Sequence, residues 1–234
     1  LPKPRNRLMD WQPYLFTGIT LVLFALAIYV AFRARNHSDL EGETGSIQLP
    51  HSKFIHIDGF KLRYIEKGKG PTVLLIHGIG ASVFTWRHNL NELAKNFHVV
   101  ALDLPGFGES DKLTDSEYDL DSQSKRVLDF LDSLKVKKCH LIGSSMGGTI
   151  ALWLAKNWPD RFDRIITLAP ATNKRLIPSN PKALHMAAPA LSRCLHDQIM
   201  RSIIVRVNAN KDLITPEAIF EYAKPYRSRP EAII

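Results

Sequence analysis

A serine between glycines is the residue of this sequence best suited to act as a nucleophile. The run GSSMGG at 143–148 fits the pattern G-x-S-x-G, with Ser145 at its centre. A short apolar run precedes it and a segment with helical spacing follows it, and the motif requires this strand–turn–helix context. Only glycine, here Gly143 and Gly147, lets the neighbouring backbone come so close in a sharp turn. The pattern predicts that Ser145 attacks an acyl carbon, although a Gly/Ser loop without chemistry would match it too.

Two backbone amides are candidates to bind the negative charge that such an attack creates. The run HGIG at 77–80 directly follows an apolar run, and the N–H of Ile79 is the first candidate. The N–H of Met146, the residue after the serine, is the second. One donor of this kind typically lowers the barrier by about 3 kcal/mol. His77 and Gly78 are expected to support this loop, the His77 ring by packing and hydrogen bonding rather than as a base.

Two further motifs lie next to apolar runs that are predicted to be strands. The run DLPGFGES at 103–110 packs a proline and two glycines into a tight turn after an apolar run, so Asp103 is expected to be structural. The run NWPDRF at 157–162 closes the helical segment after Ser145 and leads into the apolar run at 164–168.

Together these motifs resemble the α/β-hydrolase superfamily, in its lipase, esterase and epoxide-hydrolase-like branch, over about residues 54–170. The resemblance implies a helical cap at 172–234, in which 212–227 forms the closing helix and Asp212 caps it. It also implies that epoxide hydrolases and dehalogenases of the family use a carboxylate as nucleophile, so Ser145 argues against that chemistry. Haloperoxidase-like, amide and carbon–carbon hydrolases stay open.

The acid and base of a catalytic triad do not occur where the resemblance implies them. The family's chain order is Ser, then Asp or Glu, then His, with the acid in a W-G-x-x-D-like loop and the His in a G-H loop. Neither pattern occurs after Ser145, and His185 and His196 both lie in the expected cap. Asp160 and Asp163 precede a strand, at the wrong edge of the sheet. The sequence therefore predicts a truncated chain that is nearly inert as written.

The elements that must position these residues alternate in kind. Residues 53–57 and 61–66 alternate apolar and polar side chains around Asp58-Gly59, which is typical of a tight hairpin. Short apolar runs, typical of strands buried on both faces, lie at 72–76, 99–102, 140–142 and 165–168. Segments with helical spacing lie between them at 83–95, 120–134 and 146–158. The alternation predicts an α/β fold with a doubly wound, mostly parallel sheet and a site at the carboxyl ends of its strands.

The N-terminal segment is expected to anchor the protein in a membrane. No charged residue occurs between Asp10 and Arg33, and a helix over 14–32 would be roughly 28 Å long, close to the hydrocarbon thickness of a bilayer. A signal peptide and a buried core helix are the alternatives. The predicted organisation is an anchor at 1–35, a linker at 36–50, a core at 51–171 and the cap. Basic residues flank both ends of the helix, so the topology stays open.

The net charge of +8 does not indicate a nucleic-acid partner. Residues 39–171 hold sixteen Lys and Arg against seventeen Asp and Glu, and the excess lies at both ends of the chain. Cys139 and Cys194 have neither disulfide nor metal-ligand spacing, so no metal site and no cofactor is predicted. The expected partners are a small-molecule or lipid ester substrate and the membrane bilayer, with no basis for a protein partner. A non-catalytic membrane protein that uses the fold for binding is the rival interpretation.

Overall fold

The computed structural model describes residues 49, 51–172, 201, 204–205 and 214–228. All of them belong to one compact unit, Gly45–Ile234. The predicted anchor helix at 14–32, almost all of the linker and most of the predicted cap lie outside the described residues. Among the described helices, none combines the length and the apolar character that crossing a bilayer requires.

A six-stranded mixed sheet forms the centre of the molecule. Its strands are β1 (Lys53–Ile57), β2 (Phe60–Lys67), β3 (Thr72–Ile76), β4 (His98–Leu102), β5 (Cys139–Ser144) and β6 (Phe162–Leu168). They lie in the order β1-β2-β4-β3-β5-β6, antiparallel from β1 to β4 and parallel from β4 to β6. After β3 the chain moves to β4 on one side, and after β4 it crosses to β5 on the other. The strand order therefore reverses at β3, where open α/β sheets place their ligand sites.

The predicted hairpin is confirmed. Asp58 and Gly59 have φ values of 50° and 78°, as a two-residue type I′ turn requires. Arg126 holds this turn from outside the sheet, since its Nε donates to Asp58 Oδ2 at 2.9 Å.

Helices cover both faces of the sheet, as predicted for a doubly wound fold. They are α1 (Leu90–Leu93), α2 (Leu120–Ser133) and α3 (Met146–Asn157), with short 3-10 turns at Val83–Trp86 and Pro159–Arg161. A further helix, α4 (Pro216–Ser228), lies later in the chain. Side chains of α2 and α3 pack with Leu74, Val100 and Leu141 on one face. The first 3-10 turn and α1 pack with Val73, Leu75 and Val99 on the other.

The predicted continuous helix over 83–95 is wrong. Ser82 caps the start of the segment, where its side chain accepts from Phe84 N–H at 3.2 Å, and Val83, Phe84 and Trp86 are buried. The backbone instead forms tighter bonds, in which Arg87 N–H donates to the Phe84 carbonyl and Asn89 N–H to the Trp86 carbonyl. The segment becomes a 3-10 turn followed by the short α1.

The expected burial of the run at 165–168 on both faces is also wrong. β6 forms one end of the sheet among the described strands, so one of its edges has no neighbouring strand there. Ile166 and Leu168 are 52% and 48% exposed.

Candidate active site

Ser145 lies in the sharp turn that the sequence predicts. β5 ends at Ser144 and α3 begins at Met146, so a single residue joins strand to helix. That residue has φ 52° and ψ −116°, a conformation that costs a non-glycine residue of order 1–3 kcal/mol. Hydrogen bonds hold it on both sides, since its N–H donates to the Leu168 carbonyl at 2.8 Å and its carbonyl accepts from Thr149 N–H at 3.1 Å. The nucleophile candidate therefore sits on strained backbone at the carboxyl end of β5.

Two glycines make this turn possible. A Cβ atom at Gly143 would overlap the carbonyl of Gly147, and a Cβ at Gly147 would overlap the carbonyls of Ile76 and His77. The helix α3 therefore approaches β3 and β5 at backbone contact distance. The predicted requirement for Gly143 and Gly147 has a direct steric cause.

The loop after β3 comes close to Ser145. A Cβ built on Gly78 would lie 3.1 Å from Ser145 Cβ and 3.8 Å from Ser145 Oγ. Ile79 follows directly, and its side chain is 74% exposed although it is large and apolar. Gly80 turns the chain with φ 68°, and Ala81 N–H donates to the Gly78 carbonyl at 3.2 Å. The structure thus brings the two segments that carry the candidate amides, Ile79 and Met146, to the two sides of Ser145.

His77 is locked in a neutral, structural state. Its ring is fully buried, and Leu104 N–H donates to Nε2 at 3.1 Å. Because Nε2 accepts, the proton lies on Nδ1, which donates to the Gly78 carbonyl at 2.7 Å. Burial lowers the pKa of His77 against the opposing effects of Asp103 and the Gly78 carbonyl. Both ring nitrogens are hydrogen-bonded to the backbone, which leaves neither of them to act as a base.

Asp103 ties together the two loops beside the site. It is fully buried, its Oδ1 accepts from Val83 N–H at 2.6 Å, and its Oδ2 accepts from Glu109 N–H at 2.9 Å. Arg63 lies 3.5 Å from Oδ2, and a Cβ at Gly108 would overlap the carboxylate. Asp103 therefore connects the 3-10 turn at Val83–Trp86 to the 103–110 loop.

The helix α4 rests on these same two loops. The Tyr222 ring packs edge-on against Phe84 with centroids 5.6 Å apart, and Lys224 Nζ lies 3.0 Å from Glu109 Oε1. Partial burial raises the pKa of Glu109, but the charge of Arg63 and the bond from Lys224 outweigh it and hold that pKa below its ordinary value. The glutamate is therefore charged at neutral pH and attracts α4 to the core.

The capping residue of α4 differs from the predicted one. Thr215 Oγ1 accepts from Ala218 N–H at 3.1 Å, and the helix begins at Pro216. Asp212, the predicted cap, lies outside the described residues. A threonine followed by proline is itself a recognised helix start, so the sequence carried this signal.

The described residues do not supply a catalytic acid or base to Ser145. Among them, no histidine or carboxylate hydrogen-bonds to Ser145 Oγ, and Asp163 pairs with Lys138 at 2.6 Å. His98 bonds Glu66 at 2.6 Å, at the opposite end of the parallel strands. His185 and His196 lie outside the described residues. Sequence reasoning also missed the hydrogen bonds from the segment after β6, because backbone contacts leave no pattern of residue types.

The chain matches known proteins over most of the described core. A sequence model of a family described as "alpha/beta hydrolase fold" matches residues 71–192, more than half of the chain. Epoxide hydrolase 4 of Mus musculus is 41% identical over 114 residues, which cover 47% of this chain and 32% of that protein. The dihydrolipoyllysine-residue acetyltransferase component of the acetoin cleaving system of Pseudomonas putida is 32% identical over 187 residues, 79% of this chain and 45% of that protein.

A solved structure gives a longer match. The crystal structure of a membrane phospholipase A, described as a bacterial virulence factor, superposes with a TM-score of 0.61 and 26% identity. It covers 93% of this chain and 72% of that one. The chain spans less than half of the length of the two relatives named above.

Proposed function

Because the chain belongs to the α/β-hydrolase family, we propose that the full-length protein is a membrane-anchored serine hydrolase that cleaves acyl esters of lipids. The observation that carries this proposal is Ser145, a serine at φ 52° between the end of β5 and the start of α3. In the proposed reaction Ser145 Oγ gives its proton to a base and attacks the ester carbonyl, the bond to the leaving alcohol breaks, and the alcohol departs with that proton. Water then hydrolyses the acyl-enzyme to a carboxylic acid and free Ser145. The N–H groups of Ile79 and Met146 bind the oxyanion in both steps. The base and the acid come from residues outside those described.

The apolar surroundings of Ser145 support an acyl substrate. Ile79 is 74% exposed and directly follows Gly78, where a Cβ would lie 3.8 Å from Ser145 Oγ. An apolar chain bound there would remove this side chain from water, which stabilises the complex. A lipid substrate also suits the predicted anchor at 14–32. The likeness to a membrane phospholipase A, at 26% identity, supports a lipid substrate further.

Epoxide hydrolysis is the second candidate, because a mouse relative at 41% identity is named an epoxide hydrolase. Attack by a carboxylate on an epoxide gives an ester, which water can cleave. Attack by the Ser145 hydroxyl would give an ether, and water does not cleave an ether under these conditions. The nucleophile therefore favours acyl esters, and a turnover assay with an epoxide would contradict this if it detected a diol.

The decisive experiment compares two neighbouring serines. We expect the full-length protein in detergent micelles to release fatty acid from a phospholipid, and a Ser145→Ala variant to lose this activity by at least about 10⁴-fold. Ser144→Ala is the matched control, since Ser144 ends β5 beside the nucleophile but does not occupy the turn. It should keep most of the activity. Activity that survives in Ser145→Ala would show that another residue is the nucleophile. Absence of activity from the native protein would favour the non-catalytic binding protein instead.

A further inference from the structure

The peptide unit between Ser145 and Met146 has two ends with different tasks. Its N–H belongs to Met146 and is a proposed oxyanion donor. Its carbonyl belongs to Ser145 and accepts from Thr149 N–H at 3.1 Å and from Ala171 N–H at 3.2 Å. Because a trans peptide is planar, its C=O and N–H point in opposite directions and cannot turn independently. Groups that hold the carbonyl therefore also set the direction of the Met146 N–H.

Two bonds of unlike origin hold that carbonyl. The bond from Thr149 is the first bond of α3 and would form in any helix that begins at Met146. The bond from Ala171 comes from the segment that follows β6, more than twenty residues along the chain. It approaches from outside the helix, so it fixes the peptide in a second direction.

The segment that supplies Ala171 is itself rigid. Leu168 accepts from Ser145 N–H, so the segment grips both sides of the nucleophile within four residues. Ala169 adopts φ 45°, a left-handed conformation that a non-glycine residue keeps only where its surroundings impose it. The ring of Pro170 fixes its φ, and the Pro170 carbonyl accepts from Thr172 N–H at 2.9 Å. A Cβ built on Gly148 would lie 3.1 Å from the Cβ of Pro170. Backbone strain and close packing thus meet at the residues that hold Ser145.

We infer that the segment Leu168–Ala171 is a positioning element for the oxyanion hole, and that Ala171 N–H aims the Met146 N–H by holding the Ser145 carbonyl. Hydrogen bonds to a peptide carbonyl also polarise the unit and strengthen its N–H as a donor. Ala171 does not touch the substrate, so it is a positioning residue and not a catalytic one. The inference rests on the proposed function, in which Ser145 is the nucleophile.

The test removes the Ala171 N–H and measures how well the oxyanion is bound. In Ala171→Pro the donor is absent, because proline has no backbone N–H. Replacement of Ala171 by lactic acid during translation removes the same N–H and keeps the methyl group. This backbone ester decides the test if the proline variant does not fold. The substrates are a carboxylic ester and the matching thionoester, whose sulfur accepts hydrogen bonds poorly and so gains little from the oxyanion hole.

We expect both variants to lower kcat for the ester by about tenfold, a fraction of the loss on removing a whole donor, with KM changed less than twofold. The ratio of ester to thionoester rates should fall by a similar factor. The same ester replacement at Thr172, whose N–H bonds the Pro170 carbonyl instead, should leave the ratio unchanged. An active native protein whose ratio does not respond to loss of the Ala171 N–H overturns this inference alone. A native protein that cleaves neither substrate overturns the proposed function and this inference with it.

Discussion

Two pairs of residues in the described part of the chain adopt left-handed backbone without being glycine. Asp58 and Lys135 lie at surface turns, with φ values of 50° and 58°, and Ser145 and Ala169 lie at the candidate site, with 52° and 45°. Asp58 occupies a hairpin turn that favours Asp-Gly. Lys135 follows α2, where Val136 N–H bonds the Leu131 carbonyl and Lys135 N–H bonds Asp132, the pattern that usually ends in glycine.

The two pairs differ in what holds them. Bonds within a few residues hold Lys135, and Asp58 lies in a two-residue hairpin turn to which Arg126 adds one side-chain bond. Ser145 instead depends on β6, on the segment after β6 and on two glycines that let β3 and α3 approach. A surface turn can therefore tolerate a change of residue, whereas the site needs several distant segments in place at once. Three substitutions measure this difference.

The largest effect should come from Gly147→Ala. Its Cβ would overlap the backbone carbonyls of Ile76 and His77, which cannot move without disturbing β3. We expect a loss of about 3 kcal/mol or more in the free energy of unfolding, from urea titration. Gly59→Ala is the control, because it also changes a glycine in a turn but has no heavy atom within 4 Å of the new Cβ. It should cost about 1 kcal/mol, the left-handed strain alone. Equal losses would mean that the turn at Ser145 is no more constrained than the hairpin turn at Asp58-Gly59.

A smaller loss is expected for Asp103→Asn. The buried carboxylate accepts from two backbone N–H groups and lies beside Arg63, and an amide can accept at only one oxygen. We expect the free energy of unfolding to fall by roughly 3 kcal/mol. Asp58→Asn is the exposed counterpart, since it also loses a charge that pairs with an arginine, Arg126. It should cost less than about 1 kcal/mol. A small loss in both would show that Asp103 does not tie the two loops together.

The smallest effect, of opposite sign, should come from Lys135→Gly. Glycine removes the left-handed strain but increases the conformational entropy of the unfolded chain. We expect the free energy of unfolding, measured by thermal unfolding, to rise by about 0.5–1 kcal/mol. Lys137→Gly, two residues further and without positive φ, should give no gain. A destabilised Lys135→Gly variant would contradict the view that local hydrogen bonds hold this turn in a conformation that glycine adopts with less strain than lysine.

The sequence predicted the parts of the fold that depend on local patterns. The hairpin at Asp58-Gly59, the helix over Leu120–Ser133 and the turn at Ser145 all carry residue types that only one conformation suits. The predicted helix over 83–95 failed because the spacing of apolar residues does not show where bonds between residues three apart replace those of an α-helix. The burial of β6 was overestimated because an apolar run has the same composition at the end of a sheet as at its centre.

The candidate site was predicted as separate motifs but not as an assembly. The motif GSSMGG identified the turn that contains Ser145, and HGIG identified the loop that lies beside it. The hydrogen bonds from Val83 N–H and Glu109 N–H to the buried Asp103 carboxylate did not follow from the sequence. An aspartate that follows a strand can equally well be exposed to solvent. The grip of Ala171 on Ser145 is a backbone contact, and any residue except proline could supply it.

The most direct test of the central claim is to trap the acyl-enzyme. The full-length protein is mixed with a phospholipid, quenched in acid after milliseconds, and digested for mass spectrometry. We expect the peptide that contains Ser145 to gain the mass of one fatty acyl group, and fragmentation to place it on Ser145 and not on Ser144. Hydrolysis of the lipid without any acyl adduct on Ser145, or an adduct on another residue, would contradict the account.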